Sequence, residues 1–376
     1  MRRLTAAVLL GALLPGLAFG TATAVVPPVA KVALPDPFED PDDVPMPDPD
    51  LWHRIRVGFL LDPLDSPLVT EHEAWYASRP EYIKRFVDRG SRYLHYIVEQ
   101  VEKRNMPMEV ALLPVIESAF TPRAMSRAKA SGIWQFIAGT ARSYGLRVTA
   151  SWDERRDPAR STAAALAYLR DLHTSFADWP LALAAYNAGE GRVRGAMRRQ
   201  GVSTYHQLSL PLETERYFFS ILAAKLILED PAQYGFEVPP EERYLPHATA
   251  VVTLRVVGRV TVAEIAAAAG SFYRETKALN PAIMGDALPE GRYDVRIPEG
   301  RRARFEAALP GLERAMAARA VQRVQYRVKT GDTLGGIARH YGVAVSDIRQ
   351  WNPATRRSHI HPGQVLSIER GGRTPR

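Results

Sequence analysis

A single acid, Glu117, closes the apolar run Ala111-Leu-Leu-Pro-Val-Ile116, and the stretch Ser131-Gly-Ile-Trp-Gln-Phe136 follows a short way downstream. Burial raises the pKa of a carboxyl group. A carboxyl raised toward neutrality is a proton donor of the kind that cleavage of a glycosidic bond needs. Taken by itself the position has two readings: Glu117 is a general acid, or it caps a helix or forms an ion pair. Pro107 follows Asn105 where a helix can start. Pro114 then removes one backbone hydrogen bond, so the segment is predicted to kink before Glu117 and to aim the acid into a cleft.

Other polar residues stand near helix ends. Tyr186 and Asn187 precede Ala188-Gly-Glu-Gly191, a turn that ends one helix and lets backbone approach a ligand closely. Alone, Tyr-Asn-x-Gly is a common helix terminus. Glu213 and Tyr217 are four residues apart and share a helix face, where Glu213 suits a cleft or a cap equally. Gln135 reads as a ligand contact or as a polar neighbour of Trp134, and Trp134 itself reads as core. His95 and Glu99, one turn apart, fit a surface contact. No histidines cluster with acids at metal-ligand spacing, and no P-loop or dinucleotide fingerprint occurs, so neither metal nor cofactor is expected.

These residues need a scaffold. From Leu51 to about Gly235 apolar residues recur at helical spacing, as in Tyr93, Ile97, Val98 and Val101, or Ala163, Leu166, Ala167 and Leu169. Helix starts are marked by Ser78 before Pro80 and by Asp157 before Pro158. Farther on the chain repeats itself. With an offset of 72 residues, Ile265-Ala266 falls on Ile337-Ala338 and Asn280-Pro281 on Asn352-Pro353. Each copy reads strand, helix, Asn-Pro turn, strand. The fold expected is mainly α: a helical domain over 51–238, then two small βααβ modules over 248–299 and 324–370, joined by an Arg/Ala-rich helical linker over 300–323.

The ends and the composition set limits. Met1-Arg-Arg, an apolar run from Leu4 to Phe19 and small residues through Ala24 have the layout of a secretory signal peptide over 1–24. Pro15 and Gly16 interrupt that run, which is short of the ~20 residues a membrane span needs. A Pro/Asp-rich tether over 25–50 follows. Export is expected, to the periplasm or cell envelope, with membrane association only through an uncleaved signal. The 376 residues contain no cysteine, which excludes thiolate metal sites, disulfides and a lipid-acceptor cysteine. The formal net charge is +8, but the arginines are scattered and Asp36 to Asp50 is acidic, so a nucleic-acid partner is not expected. The same charge suits an anionic wall polymer.

Four ordered motifs carry a resemblance: Glu117-Ser118-x-Phe120 with Ser126; Ala130-Ser-Gly-Ile-Trp-Gln135; Ala185-Tyr-Asn-Ala-Gly-Glu-Gly-Arg-Val193; and Glu213-Thr-x-x-Tyr217. Over about Leu51 to Gly235 the chain resembles the soluble-lytic-transglycosylase (SLT) type of lysozyme-like domain, and most of all the membrane-bound lytic murein transglycosylase D group. The resemblance implies that Glu117 is the catalytic acid. It implies that Ser126, Gln135, Tyr186, Asn187, Glu213 and Tyr217 contact substrate, the hydroxyl and carboxamide serving N-acetyl and ring hydroxyl groups.

The C-terminal copy resembles LysM modules through Tyr326-Arg-Val-Lys-Thr-Gly-Asp-Thr-Leu334, Asn352-Pro353 and Ile360-His-Pro-Gly363. That resemblance implies a groove for N-acetylated sugars formed by Gly331, Asp332, Thr333 and Leu334 with Ile360, Pro362 and Gly363. The first copy lacks Gly-Asp-Thr and the Pro-Gly pair, and fits a degenerate module or spacer.

A retaining or inverting glycosidase uses two carboxylates, and the motifs offer no obvious second one. The family's route uses one acid, which protonates the leaving oxygen of the MurNAc-β-1,4-GlcNAc bond and then deprotonates the MurNAc C6 hydroxyl. The product is a 1,6-anhydro end. The expected partner is therefore the peptidoglycan glycan strand. A lysozyme-like hydrolase and a non-catalytic wall-binding protein are the alternatives.

Overall fold

The computed structural model describes residues 50–62, 66–234, 249–319, 322–355 and 359–370; the expected signal peptide and all of the tether but Asp50 lie outside the described residues. The chain divides into two units, 1–248 and 249–376.

The described part of the first unit is helical. Its α-helices are α1 (Leu51–Val57), α2 (Pro67–Ala77), α3 (Pro80–Gly90), α4 (Leu94–Glu102), α5 (Leu113–Ser118), α6 (Ala138–Ser143), α7 (Pro158–Phe176), α8 (Trp179–Ala188), α9 (Glu190–Gln200) and α10 (Leu212–Glu229). Side-chain oxygens meet the free N–H groups that open several of them. Asp50 accepts from Trp52 and His53, Asp157 from Ala159 and Arg160, and Asp178 from Leu181. Helix α3 does begin at Pro80, but Ser78 closes α2 instead of capping α3, its hydroxyl donating to the Trp75 carbonyl.

Alanines decide the packing of α7 on α8. Ala164 and Ala165 on one helix, and Ala182, Ala184 and Ala185 on the other, are fully buried, so the two backbones lie close. Helix α10 is apolar around much of its circumference. Phe218, Ile221, Leu222, Ala223, Ile227 and Leu228 are all buried, and α10 packs against α2, α8, α5 and the 3-10 turn Met108–Leu112. A helix apolar on so many sides belongs in the middle of a domain.

The kink expected at Pro114 is a break. Met108–Leu112 forms a 3-10 turn behind Pro107, and α5 starts afresh at Leu113 with Pro114 in its first turn. A proline N–H is not needed there, so the residue costs no hydrogen bond.

The second unit holds both modules. The first is β1 (Thr249–Thr261), α11 (Val262–Ala269), α12 (Tyr273–Leu279) and β2 (Ala287–Pro298); helix α13 (Arg302–Arg319) follows; the second module is β3 (Gln322–Arg327), α14 (Leu334–Tyr341), α15 (Val345–Trp351) and β4 (Val365–Arg370). Each strand pair is antiparallel, with Val252 opposite Val295 and Val324 opposite Ile368. The Asn of each Asn-Pro turn clamps the returning strand. Asn280 donates to the Arg296 carbonyl (2.7 Å) and accepts its N–H (2.7 Å); Asn352 does the same to Ser367 (2.8 and 2.9 Å).

The segment read as a linker is part of the first module. Helix α13 lies on β1 and α11, with Phe305 and Met316 fully buried and Arg302 bonded to the Val251 carbonyl (2.7 Å). Phe305, Leu312 and Met316 fall on one helical face, an apolar stripe that must be covered.

Candidate active site

Helix α5 delivers Glu117 and then stops abruptly. Ala119 and Phe120 both have left-handed φ, +47° and +52°, and their N–H groups return to Val115 (3.0 Å) and Pro114 (3.1 Å). The hydroxyl of Ser118 donates to the Ile133 carbonyl (3.0 Å) and accepts the N–H of Thr121 (3.2 Å). The serine after the acid thus ties α5 to the next motif.

That motif is a tightly held loop. The Ser126 hydroxyl accepts the N–H of Ala130 (3.0 Å), and Trp134 is buried with its indole N–H on Thr162 (2.9 Å). Gln135, at φ +47°, uses its amide nitrogen on the Gly132 carbonyl (2.7 Å). Behind the loop, buried Arg155 forms a two-point ion pair with Asp153 (2.9 and 2.7 Å) and donates to the Lys129 (2.8 Å) and Phe136 (3.0 Å) carbonyls. The guanidinium fixes both ends of the turn.

Two tyrosines complete the surroundings of the acid. Tyr217 of α10 donates its hydroxyl to Glu117 Oε1 (2.8 Å), and Tyr186 of α8 donates to the Trp134 carbonyl (2.8 Å). Burial pushes the Glu117 carboxyl up to about 7, against the pull of the Tyr217 hydrogen bond. Burial, with the Glu117 charge beside them, holds both phenols well above their ordinary range. They stay neutral donors while Glu117 alone is poised to titrate.

The structure therefore brings together Glu117, Tyr186, Tyr217 and the loop of Ser126 and Gln135. Asn187 is exposed at the end of α8. Glu213 is exposed in the first turn of α10, where an acid favours the helix dipole, and no hydrogen bond joins it to Glu117. Sequence reasoning missed an aromatic row leading outward from Tyr186: Tyr168 lies 5.4 Å from it and Tyr144 5.0 Å beyond, centroid to centroid, ending at Asp171 (3.1 Å). It missed Arg155 too, whose signal was an Arg beside acids ahead of a helix start.

The pH response follows from the Tyr217 bond, which stabilises the ionised carboxylate. Tyr217→Phe is expected to raise the Glu117 pKa above about 7. An activity that needs protonated Glu117 should therefore hold to a higher pH in that variant than in the native protein. A pH profile of product release checks this.

In the second module, β3 and β4 place the loops 328–333 and 359–364 at one end of the strand pair. Asp332 accepts the Lys329 N–H (2.7 Å) and the Tyr326 hydroxyl (2.7 Å), and these bonds hold its carboxyl below the usual range. Thr333 caps α14 by accepting the Gly336 N–H (3.0 Å). Leu334 and Ile360 pack on the small core, while Gly331, Pro362 and Gly363 are exposed. Asp332 and Thr333 thus shape the loop. Asp332→Ala should speed amide hydrogen exchange at Lys329 in the full chain. In the first module β1 runs directly into α11, with Thr261 as both last strand residue and helix cap, so the corresponding loop does not exist.

A helical domain that sets Glu117 beside Tyr217 and Tyr186, followed by small βααβ modules, fits a wall-glycan-processing class. Family models agree: residues 95–208 match the transglycosylase SLT domain and residues 326–369 the LysM domain. The chain is 36% identical to membrane-bound lytic murein transglycosylase D of Escherichia coli (strain K12), over 88% of this chain and 75% of that protein. It is 30% identical to membrane-bound lytic murein transglycosylase F of Alcanivorax borkumensis, over 34% of this chain and 28% of that one. A solved lytic transglycosylase Slt from Pseudomonas aeruginosa is 26% identical, with a TM-score of 0.32 over 39% of this chain and 24% of its own. The chain belongs to the membrane-bound lytic murein transglycosylase D family.

Proposed function

We propose that Glu117 performs both proton transfers of a peptidoglycan lytic transglycosylase. The chain is such an enzyme, cleaving the MurNAc-β-1,4-GlcNAc bond without water, and its LysM region binds wall glycan. The observation that carries the role of Glu117 is its carboxyl, raised to about 7, with a neutral phenol as its hydrogen-bond partner and no carboxylate among the groups that shift it. A pKa near neutrality suits one group to act as acid and then as base.

Protonated Glu117 gives its proton to the leaving glycosidic oxygen as the C1–O bond breaks, and the substrate's N-acetyl group stabilises the anomeric carbon. Ionised Glu117 then takes the C6 hydroxyl proton while O6 closes on C1. The proton returns to Glu117, which ends as it began. Tyr217 stabilises the carboxylate between the two steps; Tyr186 fixes the Gln135 loop; Ser126, Gln135, Asn187 and Glu213 are assigned to the sugar cleft. In the second LysM module the exposed Gly331, Pro362 and Gly363 present the glycan surface that Asp332, Thr333, Leu334 and Ile360 shape. The enzyme's place is the exported cell envelope, with glycan strands as partner. Among the described residues no helix is long and apolar enough to cross a membrane.

Digestion of purified peptidoglycan followed by mass analysis tests the reaction. Anhydro-muropeptides, each lighter by one water than the hydrolytic product, support the assignment. Reducing ends alone would make the chain a hydrolase.

A further inference from the structure

Helix α10 meets the Glu117 segment at two rungs. The first is the Tyr217–Glu117 hydrogen bond. Eight residues before Glu117 stands Glu109, and eight residues after Tyr217 stands Lys225. Those two form the second rung, Lys225 Nζ lying 3.4 Å from the Glu109 carboxylate. The segment and the helix run antiparallel, so equal spacing on both sides sets one rung above the other.

The second rung is deeply buried, with Glu109 0% and Lys225 5% exposed. The Glu109 carboxylate accepts the N–H groups of Leu60 (3.1 Å) and Leu61 (2.9 Å). Lys225 donates to the Leu61 carbonyl, sits 5.4 Å from the Phe59 ring centroid and reaches Glu229 at 3.8 Å. Three segments meet at this pair: the loop Phe59–Leu61, the 3-10 turn before α5, and α10. A buried ion pair is a poor source of stability, since well-packed apolar residues of similar volume serve as well or better. It does define one alignment of its elements, whereas the apolar faces of α10 and α5 would pack in several.

We propose that Glu109 and Lys225 are positioning residues that set the register of α10 against the Glu117 segment, so that the Tyr217 hydroxyl meets the catalytic carboxylate. Neither touches substrate. This rests on Glu117 being the acid, and Glu117→Gln tests that separately: a Glu117→Gln enzyme with full turnover removes the premise, whatever the pair does.

Lys225→Met alone leaves a buried carboxylate unpaired and is expected to unfold the domain. The informative proteins are Glu109→Gln, which still accepts from Leu60 and Leu61, and the neutral double variant Glu109→Gln/Lys225→Met. Both are compared with the native enzyme by thermal melting and by the pH profile of anhydro-muropeptide release. The proposal expects folded proteins whose kcat falls about tenfold at unchanged KM, with the high-pH limb moved upward as in Tyr217→Phe. Adding Tyr217→Phe to the double variant should then move the limb no further. Three results would overturn it: a folded Glu109→Gln protein with the native limb, a folded double variant with native kcat, or a Tyr217→Phe shift as large in the double variant as in the native enzyme.

Discussion

Replacing Glu117 by glutamine is expected to lower turnover on purified peptidoglycan roughly 10³-fold or more while glycan binding persists. The carboxamide keeps the shape of the carboxyl and an oxygen for the Tyr217 hydroxyl, so the site should stay assembled. What disappears is the carboxyl proposed to donate and then recover the proton. Mass analysis of released muropeptides reads the loss, and sedimentation with insoluble wall material reads the binding.

The same variant should be more stable than the native enzyme in alkali. The Glu117 carboxyl sits at about 7 in the folded chain against 4.5 unperturbed, so folding favours its protonated form. Native stability is complete below about pH 4.5, falls as pH rises, and is lower by at most about 3 kcal/mol above pH 7. Glutamine does not ionise. Melting temperatures of the two proteins should meet below about pH 4.5, diverge as pH rises and differ most above about pH 7.

Gly132→Ala is expected to cost about 4 kcal/mol or more, enough to unfold a marginal domain. Gly132 has φ +88°, and a Cβ there would lie 1.7 Å from the Arg155 carbonyl oxygen. That backbone cannot retreat, because its own side chain is locked to Asp153 and to two carbonyls of the loop. Gly139→Ala is the matched control: its Cβ would meet nothing within 4 Å, on helix α6. Urea denaturation of the two variants should separate them clearly.

The site was legible where its residues come as ordered motifs. Glu117, Tyr186 and Tyr217 could be named from their order, and the structure sets Tyr217 on the acid. The geometry behind them was less accessible. Pro114 read as a kink because nothing local marks Leu113 as a new helix start. Glu109 stands at the head of the same apolar run as Glu117 and carries the same signal of an acid in apolar company. Its partner Lys225 lies 116 residues away, where no local pattern pairs them. Asp332 and Thr333 were visible as residue types, yet only coordinates show their oxygens occupied by the loop itself. Helix α13 was read as helical and misplaced as a linker, since its apolar stripe of three widely spaced residues is diluted by arginines and alanines.

The clamps made by Asn280 and Asn352 have a bearing on how the two modules could diverge. Each copy closes its returning strand with a side chain from its own Asn-Pro turn, not from the loops that join strand to helix. That clamp asks nothing of the side chains of residues 328–333 or 359–364 in the second module. The first module keeps its clamp although β1 runs straight into α11 with no loop between them. The same copy carries α13 on its β1 and α11, a neighbour drawn from its own chain.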